Sequence, residues 1–189
     1  WDEKPLDFFL EINMGQSPPS SSYNDQEDGP AFLQGVSEFG ETYPETKVWC
    51  SDPKKICDSN EILFSVRAPV GKINLSKTKT CIGRGLAALK PKKNYDLKYC
   101  YYILQFFSNR FIPYSEGTTY DAINQDDIKK VIVPFTENIL EEEKIGSILS
   151  NIDELIKKQQ QVITQTQKLM KGQMQKLLLQ GIGHGDDLQ

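Results

Sequence analysis

Two arginines stand out for the chemistry their surroundings allow. Arg67 lies in Ser65-Val66-Arg67-Ala68-Pro69-Val70-Gly71-Lys72-Ile73-Asn74, on the approach to a proline, where an extended backbone is expected. Arg84 stands between two glycines in Cys81-Ile82-Gly83-Arg84-Gly85-Leu86. A guanidinium presented in this way can bind phosphate, or pair bidentately with guanine in the major groove. Each arginine also has a plainer reading, a fold-stabilising ion pair beside ordinary turn glycines. Two loops carry amide and hydroxyl groups: Gln16-Ser17 in Gly15-Gln16-Ser17-Pro18-Pro19, and Ser115-Glu116-Gly117-Thr118-Thr119. The second is a Gly-centred, hydroxyl-rich turn that can bond phosphate oxygens, or else an ordinary loop with a helix cap. Lys72, Lys77 and Lys79 follow Arg67 as candidate phosphate contacts.

Catalysis finds little support. The single histidine, His184, sits in the C-terminal tail, so neither a Ser/His/Asp nor a Cys/His arrangement is available to the body of the chain. Cys50, Cys57, Cys81 and Cys100 have no C-x-x-C spacing. No metal site or disulfide framework is expected, and free thiols suit a reducing cytoplasm. Gly83-Arg84-Gly85 lacks the third glycine of a dinucleotide fingerprint and the Lys-Ser/Thr of a phosphate loop. Ser17-Pro18-Pro19-Ser20 superficially resembles the Pro-Pro-aromatic motif of amino-methyltransferases, but a serine holds the aromatic position. No catalytic site is expected.

Charge narrows the partners. The 189 residues carry net −4, unevenly: −9 over 1–46, +8 over 47–98 and −3 over 99–189. A basic middle in an acidic chain suggests a localised polyanion-binding face, or lysines scattered over a solvated surface. Hydrophobic content of 38% and charge of 25% fit a soluble globular protein. No run of eighteen apolar residues and no signal-peptide pattern is present, so no membrane association is expected. The chain opens on Trp1 rather than Met, which suggests further residues upstream.

The elements that must hold these residues are short strands and a few helices. Leu6, Phe8, Phe9, Leu10 and Ile12 offer an amphipathic opening, and the Gly/Pro/Ser/Asn-rich stretch 14–30 reads as loop. Strands are expected at 31–35, 46–50, 61–67 and 86–89, with a tight turn at Gly71 before 72–75. Helices are expected at 95–109, with Leu97, Tyr101, Leu104 and Phe107 on one face, and within 121–130, capped near Asn124. Val131-Ile132-Val133 is β-branched, and Pro134 is expected to stop that strand.

From Asn138 the chain reads as one helix to Gln180, ~60 Å long at ~1.5 Å per residue. Asn138 is the expected N-cap, followed by Glu141, Glu142 and Glu143 in the positive first turn. Ile145, Leu149, Ile152, Ile156, Ile163, Met170 and Leu177 form a heptad seam, with Ile148, Leu155, Val162 and Leu169 in a row beside it. One seam position turns polar after Ile152: Gln159, Thr166 and Gln173. Polar seam groups fix register at a cost in stability. A rod this long calls for a partner helix.

In order along the chain, Gly15-Gln16-Ser17-Pro18-Pro19, Phe32-Leu33-Gln34-Gly35, Trp49-Cys50, Phe64 to Gly71, Cys81 to Ala88, Gly117-Thr118-Thr119, Val131 to Pro134 and Lys144 to Asp153 resemble one known family. It is the specificity (S) subunit of type I restriction–modification enzymes, and the match is to a target recognition domain with the spacer helix that follows it. Glu141-Glu142 depart from the Glu-Gln pair with which that helix often opens, which puts the docking of its start in question. The resemblance implies non-catalytic recognition of double-stranded DNA, each domain reading one half of a bipartite site and the spacer helices setting the gap. It implies that methylation and cleavage reside in separate modification (methyltransferase) and restriction subunits. S-adenosylmethionine, ATP and Mg are expected only in those partners, and no cofactor here.

A full S subunit holds two recognition domains and two spacer helices, and this chain holds one of each. The resemblance thus implies a natural half-subunit or an excised half. The expected fold class is α+β, with a DNA-binding domain over 1–137, a spacer or dimerisation helix over 138–180 and a flexible tail over 181–189. Homodimerisation through the helix is expected. Gln16, Ser17, Arg67, Lys72, Lys77, Lys79, Arg84, Ser115, Thr118 and Thr119 are the candidate DNA contacts. The rival reading is a coiled-coil adaptor whose globular head binds protein, and a third is a small phosphate-using enzyme.

Overall fold

The computed structural model describes residues 1–115 and 122–182. The chain divides into two compact units, Trp1–Ser147 and Ile148–Gln189. The first is an α+β domain of three sheets. Strand β1 (Asp2–Pro5) and, after the single turn α1 (Leu6–Phe9), β2 (Leu10–Met14) open the chain. The short strands β3 (Tyr23–Asn24), β4 (Ala31–Leu33), β5 (Trp49–Cys50) and β6 (Ile56–Cys57) follow. Next come β7 (Ile62–Ser65), β8 (Ile73–Leu75), β9 (Thr80–Ile82) and β10 (Leu86–Pro91). Helices α2 (Leu97–Phe106), α3 (Ile112–Ser115) and α4 (Gln125–Lys130) precede β11 (Ile132–Phe135) and the long α5 (Ile139–Gln180).

The central sheet is antiparallel, in the order β2-β10-β7-β8. A second sheet runs β3-β5-β4-β9-β6, with β4 and β9 parallel, and β1 pairs antiparallel with β11 in a separate ribbon. The apolar run Ile62-Leu63-Phe64 is explained by burial on both faces. Ile62 and Phe64, with Ala87 and Leu89 of β10, face a core that includes Leu6, Phe9, Tyr99, Leu104, Phe111 and Phe135. Leu63, with Leu86 and Ala88, faces the other way onto Leu33, Cys57 and Ile82. Period-two alternation thus feeds two cores from one strand pair.

Helix α2 starts where Asp96 accepts a hydrogen bond from Tyr99 N at 2.8 Å, and α4 where Asn124 Oδ1 accepts from Asp127 N at 3.0 Å. On α2, Tyr101 and Leu104 are buried as expected, whereas Leu97 and Phe107 pack only at the core's margin. Strand β11 does not stop at Pro134. It continues to Phe135, because Pro134 sits in a two-stranded ribbon opposite Glu3, where a missing N–H leaves no ladder gap in a larger sheet. Phe135 is buried, stacked on Phe9 with ring centroids 4.0 Å apart.

Asn138 caps α5, its Oδ1 accepting from Leu140 N at 3.1 Å, and Gly181 ends it at φ +73, donating to the Leu177 carbonyl. The opening of α5 belongs to the first unit. Glu141 accepts from Thr136 Oγ1 at 2.7 Å and from Trp1 Nε1 at 3.0 Å. Glu142 is fully buried, and its Oε2 accepts from Asp96 N at 2.8 Å. A Cβ on Gly146 would lie 2.6 Å from Asp96 Oδ1 and 3.0 Å from Tyr99 N, so a larger residue there separates α5 from α2. In the second unit every side chain from Asn151 to Gln180 is exposed. No helix among the described residues is long and apolar enough to cross a membrane.

Candidate nucleic-acid interface

One end of the central sheet gathers most of the residues with binding chemistry. Strand β10 begins at Leu86, and both neighbours continue past it. Gly15 N donates to the Leu86 carbonyl at 2.9 Å, and Val66 N donates to the Gly85 carbonyl at 3.0 Å. Chain order then brings Gln16 and Ser17 to one side of Arg84 and Arg67 to the other. Ser17 Oγ accepts a hydrogen bond from Arg84 N at 3.2 Å, a direct link between two of the loops. Arg67 is bridged antiparallel to Ala122. Arg67 and Arg84 are both exposed, and neither enters a salt bridge among the described residues.

Buried groups hold this rim in shape. Ser65, 1% exposed, closes the turn that carries Arg67: its Oγ donates to the Pro69 carbonyl at 2.7 Å and accepts from Lys72 N at 2.8 Å. The Ala68–Pro69 peptide is cis. On the other side Tyr23 stacks on Phe32 at 4.5 Å, and its hydroxyl donates to the Pro18 carbonyl at 3.0 Å. Burial raises the Tyr23 phenol, opposed by the nearby Arg84 guanidinium. Close backbone approach explains two glycines. A Cβ on Gly15 would meet the Gly83 carbonyl at 2.2 Å, and one on Gly85 the Gln34 carbonyl at 2.4 Å.

Beside the rim, Gln16 shares a cleft of about 440 Å³ with Asn13, Lys55 and Gln125. Lys72 lies at the same sheet end, in the β7–β8 turn. Lys77 and Lys79 do not: they follow β8 at the far end of the sheet. There Lys77 Nζ sits 4.1 Å from the Tyr43 ring centre, and Lys79 Nζ lies 3.6 Å from Asp58 Oδ1. Ser115 ends α3, and Thr118 and Thr119 lie outside the described residues. Gln34, Ser65 and Tyr23 were not singled out as site residues from the sequence. A serine closing a strand before a Pro-Gly turn was the available signal for Ser65; Gln34 had none.

All four cysteines are buried and free. Burial pushes the Cys57 thiol up to about 12 and the Cys81 thiol up to about 11, so both stay protonated at neutral pH.

A family model described as the type I restriction modification DNA specificity domain matches residues 1–165. The chain belongs to this family. It is 40% identical over 172 residues to the putative type I restriction enzyme MjaX specificity subunit of Methanocaldococcus jannaschii, covering 90% of this chain and 40% of that protein. Among solved structures, the HsdS subunit from Thermoanaerobacter tengcongensis is similar at 31% identity and a TM-score of 0.73, over 96% of this chain and 45% of the other. A structure described by complex assembly and conformational transition of the type I R-M system matches at 33% identity and 0.81, with the same coverages. The chain therefore spans less than half the length of these relatives. The α+β fold with its long C-terminal helix is that of the type I specificity subunits.

Proposed function

We propose that this chain recognises double-stranded DNA, sequence-specifically and without catalysis, reading one half of a bipartite target through the rim at Arg67, Arg84 and Gln16-Ser17. The observation that carries the proposal is the convergence at one end of one sheet of two exposed arginines with no salt bridge among the described residues, the turn of one closed by Ser65 and the backbone of the other held by Ser17. Arginine held on a rigid element is suited to guanine edges, and Lys72 and Lys55 beside it to phosphates. Ser115, Thr118 and Thr119 remain candidate phosphate contacts on the strength of their hydroxyls. Modification and restriction subunits, in the cytoplasm, supply methylation and cleavage with their own S-adenosylmethionine, ATP and Mg.

The exposed helix supplies the geometry. We propose that Ile148–Gln180 pairs antiparallel with a second copy. Overlap from Leu149 to Gln180 then sets Ile163 against Thr166, Ile156 against Gln173 and Gln159 against Met170 of the second copy, so each polar seam residue meets an apolar one. Two rims so held read an inverted, interrupted site, with half-sites about one duplex turn apart, ~34–36 Å.

Selection from random duplexes tests the proposal. An enriched interrupted sequence, bound more tightly as salt is lowered, is expected. Failure to distinguish any sequence from random DNA overturns it.

A further inference from the structure

At the rim the Gln34 side chain joins the loop after β4 to the loop after β2. Gln34 follows β4, and because β4 runs parallel to β9 it arrives beside the turn 83–85, where Gly83 N donates to the Leu33 carbonyl at 2.8 Å. Its amide faces Ser17: Oε1 lies 3.2 Å and Nε2 3.1 Å from Ser17 Oγ. Ser17 Oγ also accepts from Arg84 N at 3.2 Å. A hydroxyl has one proton, and with Arg84 N–H donating to its oxygen that proton points to Gln34 Oε1. The order is therefore Arg84 N–H to Ser17 Oγ–H to Gln34 Oε1. The amide also lies over Gly83, where an added Cβ would stand 2.8 Å from Oε1.

We infer that Gln34 is a positioning residue for base discrimination: through Ser17 it fixes the Arg84 backbone, and so the base edge that the guanidinium meets. This rests on the DNA-reading proposal above. The Arg84 guanidinium has no ion-pair partner among the described residues to aim it, so its direction is set where the side chain leaves the main chain. A long side chain on a loose turn samples several base positions, and one on a fixed turn samples few. Gln34 is exposed, and a free glutamine amide can pair with adenine directly. Here both polar atoms of the amide are already turned to Ser17, which favours positioning over reading.

The test uses the full chain and its selected duplex, together with duplexes carrying single base-pair changes. Q34M keeps the length and removes the amide; S17A breaks the same relay from its other member. With R84A as reference, Q34M and S17A are expected to lose discrimination at the base pairs where R84A loses it. The expected loss is roughly tenfold, within the usual range for one mismatched pair. The double variant Q34M/R84A is expected to be no worse than R84A alone. Loss at a different base pair, additive with R84A, makes Gln34 a direct reader and overturns the inference. Undiminished discrimination in Q34M and S17A, while R84A loses it, overturns it as well. Discrimination left intact by R84A itself brings down the DNA-reading assignment of Arg84, and this inference with it.

Discussion

At the scale of the residue, the account makes Arg67 and Arg84 readers rather than structural ion pairs. Arg84→Ala and Arg67→Ala are each expected to cost about 1–3 kcal/mol on the selected site, with relaxed preference at one position. Competition binding against single-base variants measures both. Lys79→Ala is expected to change little by comparison, because Lys79 faces Asp58 at the far end of the sheet. The arginines were legible in the sequence because glycines and a proline bracket them. Their alignment was not, since it depends on β2 and β7 ending where β10 begins, and β2 was hidden inside an opening that reads only as amphipathic. Gln34 could not be singled out for a related reason: its partner Ser17 is seventeen residues away and follows a strand of another sheet, the two meeting only where both loops bond to residues 82–83.

At the scale of the element, the joint between α5 and the domain is the instructive case. Glu142 is fully buried; among the described residues its Oε1 has no hydrogen-bond partner and its Oε2 accepts from Asp96 N. Burial holds its carboxyl above the usual range, and the neighbouring Asp96 and Glu143 push the same way, against the Asp96 N–H bond. A raised folded-state value means that protonation favours the fold. This contribution is complete below the unfolded value near ~4.3 and is lost as pH rises through the folded one. Glu142→Gln is therefore expected to stabilise the domain at pH 7 by about 1 kcal/mol and to flatten the pH dependence. Denaturant midpoints at pH 4 and pH 7 check it, and a destabilised variant at pH 7 contradicts it. Gly146→Ala is expected to destabilise by about 1–3 kcal/mol, since its Cβ would meet Asp96 Oδ1 and the Tyr99 backbone. The sequence displayed the cap at Asn138 and the stop at Gly181. It also displayed the departure at Glu142, but not that this side chain packs under the cap of α2.

At the scale of the whole molecule, the exposed heptad stripe and the rim make one device if two copies pair. Ile152, Ile156, Ile163, Met170 and Leu177 remain 46%, 58%, 47%, 59% and 48% exposed in the single chain, a face that water alone covers poorly. Replacing Gln159, Thr166 and Gln173 together by leucine is expected to change the assembly state or the preferred spacing between half-sites. Sedimentation and spacer-variant duplexes measure these, and no change in either would leave the row merely solvated. The heptad was plain in the sequence, because a seven-residue beat needs no tertiary information. The five-stranded sheet was mostly unreadable, since strands of two or three residues carry no period.

The central claim is that the sheet-end rim reads DNA, and one titration addresses it most directly. The intact chain and its Arg67→Glu/Arg84→Glu variant are bound to the selected duplex and to random duplex across a range of salt. The wild-type chain should prefer the selected duplex and weaken steeply with salt, while the variant loses that preference and keeps its fold and assembly state. Equal preference in the two chains would contradict the account and return the basic face to the solvated surface.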